Sequence, residues 1–273
     1  QAMRFDYDPG RAAGLAVLQL VIGICAGALA LWLARGESFG TGLDRSIPRH
    51  DAAVPLARIS DGLWLTMAAG FLLVPLGMLV LRGAPGLMAL DAGTLRAAGH
   101  SVAVALGSTA LCLLWAAPLA GGQGALVSLA AIAISPLVLG TGLFLILRPV
   151  VNPFDMALPV TAVVNALMAL PFALRILSPE ANTVQNDYGR LRATLGLTGW
   201  SWLRWVWLPR MRRPLGFAAG LTAALAMGDL GVIALFADPD RATLPLQVYR
   251  LMGSYQMEAA AGAALLLMCL SLG

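Results

Sequence analysis

Long uninterrupted runs of apolar residues, separated by shorter polar stretches, make up most of this chain. A helix needs about 20 apolar residues to cross a hydrocarbon layer roughly 30 Å thick. None of the runs alternates apolar and polar positions with the period of two that a strand requires. We therefore predict an all-α fold, a polytopic bundle of transmembrane helices. The seven predicted spans cover residues 12–34, 59–81, 101–119, 125–147, 157–177, 215–237 and 257–273.

Composition agrees with a lipid environment. Hydrophobic residues make up 59% of the chain and charged residues 12%, and the mean hydropathy is +0.80. A soluble domain is about a quarter charged, so this chain has too little polar surface to cover a core of its size. The net charge of +4 does not indicate nucleic acid, because cytoplasmic loops of membrane proteins carry an excess of basic residues.

The basic residues, cysteines and histidines exclude several kinds of chemistry. All 18 basic residues are arginines, and a P-loop that binds ATP phosphates needs a lysine. Any ATP must therefore be hydrolysed by another chain. Cys25, Cys112 and Cys269 lie in apolar runs, which indicates packing, and His50 and His100 stand apart from each other. We predict no disulfide, no metal site and no catalytic residue.

The distribution of arginines predicts the orientation in the membrane. With seven spans, the loops after the first and fifth spans lie on one side and hold ten arginines, four in 35–58 and six in 190–213. The other side holds seven, and Arg175 is counted on neither side because it lies within a span. The side richer in arginine is expected to be cytoplasmic. We therefore predict a cytoplasmic loop over residues 178–214.

The two ends of the chain carry similar segments. "YDPGRAAGLAVLQL" begins at Tyr7 and "YQMEAAAGAALLLM" begins at Tyr255, with six identical positions at an offset of 248. We interpret them as corresponding helices of a duplicated protein, of which this chain is a piece truncated at its C-terminal end. Residues 1–35 are then the last helix of a first half, 36–58 a cytoplasmic linker, and 59–273 a second half with six spans.

Small and ring-containing residues within the predicted spans suggest local features of packing. Glycines four residues apart let helix backbones approach closely, although a chain with 30 glycines also produces such pairs by chance. Pro136 and Pro171 are expected to mark kinks. The two glycine pairs with this spacing are Gly23/Gly27 and Gly216/Gly220.

A basic and aromatic stretch, residues 189–214, interrupts the apolar pattern with six arginines and four tryptophans. Leu191 and Leu195 are four residues apart, as are Trp202 and Val206, which is the spacing of an apolar stripe on a helix. We predict one or two short amphipathic helices along the cytoplasmic surface. An interfacial anchor of tryptophan and arginine would explain the same composition.

The glycine and prolines of this stretch have a more particular arrangement. Gly196 is expected to allow a bend between the two half-helices. Pro209 is expected to end the second half, and Pro214 to open the next span at a first-turn position. An interfacial anchor would not require a glycine followed at a fixed distance by Leu-Pro.

This arrangement resembles the cytoplasmic loop signature of permease subunits of bacterial ABC importers. The signature runs Glu-Ala-Ala, then three residues, then Gly, and then Leu-Pro with the proline thirteen residues after the glycine. Gly196 and the pair Leu208-Pro209 stand at that spacing, and Trp200 and Val206 occupy positions that are usually large and apolar. In the family this loop precedes the last two spans, as it does here.

The resemblance implies a function and partners. In the family the loop forms coupling helices that dock in a groove of the ATPase subunit. It implies a permease in the bacterial inner membrane, an ABC ATPase dimer that binds ATP and Mg²⁺, a periplasmic substrate-binding protein, and no cofactor or nucleic acid on this chain. The implied coupling residues are Arg190, Leu191, Arg192, Leu195, Gly196, Trp200, Val206, Leu208 and Pro209. Arg190-Leu191-Arg192 replace Glu-Ala-Ala, so the salt bridge of the family's glutamate is in doubt here.

A second segment narrows the resemblance. Residues 227–267 resemble the permeases of thiamine ABC importers, from "GDLG" at Gly228 through "TLPL" at Thr243 to "GSY" at Gly253. This likeness implies transport of thiamine or its phosphates. Permeases for iron(III) share the double six-helix layout and parts of these motifs, so iron(III) or another small solute is the alternative substrate.

Three polar residues within predicted spans are candidates for the substrate pathway. Asp229 is the carboxylate well inside an apolar run, and a charge at mid-membrane costs about 2.5–3.5 kcal/mol on insertion scales. It is expected to face a cavity or a partner, or to brace the backbone near the end of its helix. Asn165 and Ser135 are the other candidates, and each is also suited to a hydrogen bond between helices.

Two other classes of protein compete with a transport subunit. An intramembrane enzyme would need paired carboxylates or a Ser/His pair within the spans, and Asp229 has no such companion. The sequence "GESFG", residues 36–40, matches a nucleophile-elbow pattern, but a predicted transmembrane helix precedes it where that motif needs a strand. A channel would work without any ATPase.

Overall fold

The computed structural model describes residues 18, 21, 22, 25, 29, 55–88, 90–121, 128, 135–236 and 241–272. All regular structure in these residues is helical, which confirms the all-α prediction. A single 3₁₀ turn, Pro153–Met156, precedes α4, and a π-helical turn, Leu203–Trp207, precedes α6. The α-helices are α1 Pro55–Met88, α2 Ala92–Leu119, α3 Pro136–Leu147, α4 Ala157–Thr194, α5 Gly199–Trp202, α6 Leu208–Met227, α7 Ile233–Phe236, α8 Leu244–Gly253 and α9 Met257–Leu272.

Three helices of the described residues are long and apolar enough to cross a membrane: Ala57–Met88, Ala92–Leu119 and Phe154–Thr194. Helices α3 and α9 are shorter apolar helices. These elements confirm a polytopic helical membrane protein. The predicted span 12–34, the repeat segment that contains it and part of the span 125–147 fall largely outside the described residues, so the division into halves stays a prediction.

The predicted span 215–237 is wrong at its far end. Helix α6 ends at Met227, and the chain turns before the short helix α7 begins at Ile233. Gly228 caps α6, and the Asp229 carboxylate accepts the backbone N–H of Gly231 at 3.1 Å, which holds the turn. An aspartate side chain that accepts the backbone N–H two residues further on favours a turn over continuation of a helix.

The core of the bundle lies where α2, α4 and α6 pack against one another. Of the most apolar stretch of each long helix, 67% is buried in α4, 28% in α2 and none in α1, so α4 is the central helix. Small side chains dominate the contact, which lets the helix axes approach closely. The buried residues at the centre include Cys112, Ala116, Ala169, Leu174, Leu177, Met211 and Ala218.

Helix α1 packs mainly on α9, and the two helices come closest at glycines. A side chain at Gly86 would lie 2.9 Å from the backbone nitrogen of Gly262. One at Gly83 would lie 2.7 Å from the carbonyl oxygen of Ala261. The close contact expected at Gly216/Gly220 is not found, because no atom lies within 4 Å of a side chain placed at either. The pair Gly23/Gly27 lies outside the described residues.

The two prolines predicted to mark kinks, Pro136 and Pro171, occupy different positions relative to their helices. Pro171 lies inside α4, where a proline removes a backbone hydrogen bond, and it is buried. Pro136 does not interrupt a described helix: it is at the start of α3, directly after the N-cap residue Ser135. The first turn of a helix tolerates proline because its N–H groups have no intrahelical partner.

The start of α2 is capped by a carboxylate outside the membrane-spanning segments. Asp91 accepts hydrogen bonds from the Thr94 hydroxyl at 2.5 Å and from the Thr94 backbone N–H at 2.9 Å. These two bonds, the hydroxyl bond foremost, lower the pKa of Asp91. The charged form is therefore favoured by folding, so its contribution to stability is complete at neutral pH and is lost as the pH falls through the lowered pKa.

We expect Asp91→Ala to lower the free energy of unfolding by about 1 kcal/mol at neutral pH, because an N-cap side chain is worth that much. Asp91→Asn caps comparably and serves as the matched control. Thermal unfolding of the purified protein measures the effect. The difference in unfolding temperature between the wild type and Asp91→Asn should change with pH. Below the pKa of Asp91 the wild type loses its charged cap, so Asp91→Asn should gain stability relative to it. A pH-independent difference would contradict the role of the carboxylate.

Candidate functional site

The predicted coupling residues lie at one end of the bundle, where α4 turns back into α6. The prediction of one or two short amphipathic helices along the cytoplasmic surface, within residues 189–214, is only partly confirmed. Helix α4 continues without a break from the predicted span to Thr194, so Arg190, Leu191 and Arg192 belong to its last turns. The return segment is helical from Gly199 onward, beginning with the short helix α5. We call residues 188–209 the tip.

The bend at Gly196 is confirmed. Gly196 has φ +61°, the left-handed conformation that favours glycine, and directly follows the end of α4. The Leu197 N–H donates to the Arg192 carbonyl at 3.0 Å across this turn, as in a glycine-terminated helix. The Arg192 Nε donates to the Leu197 carbonyl at 3.3 Å. Gly199 also has a positive φ, +52°, so two glycines shape the reversal.

The predictions for Pro209 and Pro214 are wrong. Pro209 does not end a half-helix but lies in the first turn of α6, and Pro214 lies inside α6 rather than at its start. The preceding π turn makes this possible, since the Leu208 N–H bonds to the Leu203 carbonyl, five residues back. A π turn absorbs a residue that the ordinary α-helical hydrogen-bond ladder cannot accommodate.

The tip has one anchored face and one exposed face. Trp202 is buried, and Leu197, Val206 and Trp207 pack with it against the core of α2, α4 and α6. The Arg192 guanidinium lies 5.2 Å from the centre of the Trp202 ring, within range of a cation–π contact. Arg210 makes both a hydrogen bond and a ring contact with Tyr188. These contacts anchor the tip to the helices.

Large apolar side chains remain exposed on the tip. Leu195 is 62% exposed and Trp200 71%, and Trp205 within the π turn is also 71% exposed. Leu191 and Leu208 are exposed as well, and so are Arg190 and Pro209. Of the predicted coupling residues, Arg192 and Val206 are partly buried. A contiguous run of exposed leucine and tryptophan with arginine is typical of a surface that binds another protein or the membrane.

A cavity of about 170 Å³ lies between α3, α4 and the end of α6. It brings together two of the predicted pathway residues, Asn165 and Asp229, which are 64 positions apart in the sequence. The Asn165 amide donates to the Ala226 carbonyl at 3.4 Å and so joins α4 to α6. The Asp229 Oδ2 is buried and has no hydrogen-bond partner among the described residues.

The remaining wall of the cavity is apolar. Met168 and Phe172 follow Asn165 at helical spacing on α4, and Pro136 faces them from α3. Ser135, the third predicted pathway residue, precedes Pro136 but does not line the cavity. Met168 and Phe172 are not among the residues predicted from the sequence, although their spacing of three and seven residues from Asn165 marks the same helix face.

The chain is similar to bacterial transport permeases. It is 33% identical over 288 residues to the thiamine transport system permease protein ThiP of Salmonella typhimurium, and equally to that of Escherichia coli, which covers 99% of this chain and 53% of each relative. It is 31% identical over 294 residues to ThiP of Brucella suis, covering 100% of this chain and 53% of the relative. The chain thus spans about half the length of these curated relatives.

A more limited similarity is found to a permease for a different solute. The sulfate transport system permease protein CysW of Synechocystis is 32% identical over 118 residues, 42% of this chain and 43% of that protein. No protein-family model matches the chain. The homology to thiamine transport permeases confirms the resemblance noted in the sequence. Together with the apolar helices, it identifies a multi-pass protein of the inner membrane.

Proposed function

We propose that this homologue of the thiamine transport system permeases is the membrane-spanning part of an ATP-driven importer for thiamine or its phosphates. The similarity that extends over 99% of the chain supports this function most strongly. On this proposal the chain performs no bond chemistry. A periplasmic binding protein delivers the substrate, and a dimer of ATPase chains binds ATP and Mg²⁺ on the cytoplasmic side.

The cavity of Asn165 and Asp229 is our candidate for a part of the substrate route. A buried carboxylate oxygen without a partner is unfavourable in an apolar setting, and a positively charged ligand would offset that cost. Thiamine is a cation with aromatic rings, and Phe172 offers an aromatic face in the same cavity. The carboxylate argues against sulfate as the solute, because the two negative charges would repel.

The tip is our candidate for the contact with the ATPase. Its exposed leucine and tryptophan side chains provide an apolar docking surface, and its buried Trp202 is continuous with the core. A movement imposed on the tip is therefore transmitted to α4 and α6, which carry the walls of the cavity. The chain acts as a relay between nucleotide-driven closure on one side of the membrane and substrate access on the other.

We expect Asp229→Asn to lower thiamine uptake by the full-length transporter about 10- to 100-fold. This range corresponds to the loss of a charge-assisted contact of roughly 1.5–3 kcal/mol. Uptake of radiolabelled thiamine into proteoliposomes that contain the permease, its ATPase and the binding protein measures the effect. Asp155→Asn is the control, because that exposed carboxylate pairs with Arg241 at 2.9 Å on the surface.

The same preparation tests the choice of substrate. Thiamine, its phosphates, iron(III) and sulfate are offered separately through their binding proteins. The proposal is wrong if neither thiamine nor its phosphates enter the vesicles or stimulate ATP hydrolysis, or if iron(III) or sulfate is transported in their place. Normal uptake by Asp229→Asn would remove the cavity from the substrate route and leave the transport function standing.

A further inference from the structure

A second concave site lies at the end of the bundle opposite the tip, between the start of α2 and helix α8. Its volume is about 200 Å³. The side chains that line it include Arg96 and His100 from α2 and Gln247 and Arg250 from α8. It shares no lining residue with the cavity of Asp229.

The lining of this pocket consists largely of hydrogen-bond donors. The guanidinium groups of Arg96 and Arg250 and the carboxamide of Gln247 supply these donors, and none of the residues that line the pocket is acidic. Arg96 uses its Nε for a bond to the Ala92 carbonyl at 3.4 Å, which leaves its two terminal nitrogens for a ligand. Such a set of donors is suited to an oxyanion with several acceptor oxygens.

The donors are held in place by the surrounding structure. The His100 Nδ1–H donates to the Ala242 carbonyl oxygen at 3.1 Å, which fixes the ring and leaves the neutral imidazole no second N–H for a ligand. Arg250 has a further interaction within the protein, so its side chain is oriented. A ligand would thus meet a partly organised site and lose little free energy in ordering it.

The start of α2 forms one wall of the pocket. Gly93, in the first turn of the 28-residue helix α2, lines it. The Asp91 carboxylate already caps this helix end by accepting the Thr94 N–H at 2.9 Å, so the main chain adds little positive potential. The positive charge at the pocket comes from Arg96 and Arg250.

The neighbourhood of the pocket has the character of a membrane interface. Helix α8 buries Leu244, Pro245 and Leu246 and exposes Tyr249 and Met252. Leu95, next to Arg96, is 56% exposed. Exposed apolar side chains beside arginines, together with an exposed tyrosine, are common where a protein meets lipid headgroups.

We propose that this pocket binds a phosphate group. Arginine side chains recognise phosphate with parallel hydrogen bonds, and here Arg96 and Arg250 line one pocket together with Gln247. The phosphate belongs either to the headgroup of an anionic phospholipid or to a free soluble phosphate. The pocket lies outside the proposed substrate cavity and the tip, so the proposal does not depend on the substrate that the protein transports.

Binding by the purified full-length protein distinguishes these sources. In the first experiment inorganic phosphate is titrated into protein in a neutral detergent, and heat release gives the affinity. In the second, the protein is reconstituted in nanodiscs of phosphatidylcholine with or without phosphatidylglycerol, and native mass spectrometry counts the retained lipids. We expect Arg96→Gln to weaken binding about tenfold or more in whichever experiment shows it.

The controls separate the pocket from general charge effects. Arg148→Gln removes an arginine at the end of α3 that does not line the pocket, and it should leave binding unchanged. Arg96→Lys keeps the charge but loses the planar fork, so intermediate affinity is expected. Because Arg96 is exposed, its replacement should not alter the unfolding temperature in the absence of ligand.

Each outcome decides the proposal. Binding only in the phosphatidylglycerol nanodiscs identifies a lipid headgroup site, and binding only of inorganic phosphate identifies a site for a soluble ligand. Absence of binding in both experiments overturns the proposal. Equal losses in Arg96→Gln and Arg148→Gln also overturn it, because the effect would then come from net charge alone.

Discussion

Gly262→Leu is expected to separate α9 from α1 and to lower the stability of the bundle by about 1–3 kcal/mol, the usual cost of overpacking. A side chain at Gly262 would lie 2.9 Å from the Cα of Gly86. The obstacle is the backbone of α1, which cannot rotate away as a side chain can. Because α1 packs mainly on α9, the loss of this contact should release α1 from the rest of the bundle.

The matched control for this prediction lies on α1, the helix that Gly262 faces. Gly77 has no atom within 4 Å of the position a side chain would take. Gly77→Leu should therefore leave stability unchanged or raise it by up to about 1 kcal/mol, because leucine favours a helix more than glycine does. Gly86→Leu should resemble Gly262→Leu, since its side chain would meet the Gly262 backbone.

Thermal unfolding and limited proteolysis in lipid nanodiscs measure both effects. The unfolding temperature should fall for Gly262→Leu and Gly86→Leu, and new cleavage sites should appear near the ends of α1. If Gly262→Leu is as stable as Gly77→Leu, the two helices do not pack with the close approach described here.

Gly196→Val is expected to abolish the coupling of ATP hydrolysis to uptake without unfolding the membrane helices. Gly196 has φ +61° and open space around it, so the backbone conformation and not steric room requires glycine. An ordinary residue in the left-handed region costs roughly 1–2 kcal/mol, and a β-branched residue is especially disfavoured there. The turn should rearrange and displace the exposed Leu195 and Trp200 together.

Two further variants separate conformation from side-chain size. Gly196→Asn should retain most of the uptake, because asparagine tolerates the left-handed conformation. Gly189→Val places the same side chain on α4, also with open space but without a positive φ, and should have little effect. Valine and asparagine at the same position therefore give opposite results if the turn is what the ATPase recognises.

The measurement is thiamine uptake with substrate-stimulated ATPase activity in proteoliposomes of the full transporter. For Gly196→Val we expect uptake at least tenfold below the wild type, with an unchanged unfolding temperature for the membrane helices. Normal uptake and normal stimulation would exclude the tip as the coupling element. Equal losses for the valine and asparagine variants would indicate that side-chain size, not backbone conformation, is responsible.

Gly196, Pro209 and Pro214 show which features of the loop between α4 and α6 the local sequence can predict. The bend at Gly196 could be predicted because a glycine between two helical stretches is a local signal, and the left-handed turn forms there. The positions of Pro209 and Pro214 within α6 could not be predicted, since prolines usually mark helix ends. The π turn before α6 lies where Val206 and Trp207 pack with Trp202 against the core, and contacts with distant helices are not specified by the local sequence.

By itself the sequence determined the class of this protein, the approximate positions of its membrane helices and the location of its basic tip. These properties follow from hydrophobic length and from the conformations that glycine and arginine-rich segments adopt locally. Only the tertiary structure decided which glycines meet, where the helix before Asp229 ends, and that Asn165, Phe172 and Asp229 share one cavity. The physical reason is that a helix crossing depends on how two distant surfaces fit, which residues neighbouring in sequence do not specify.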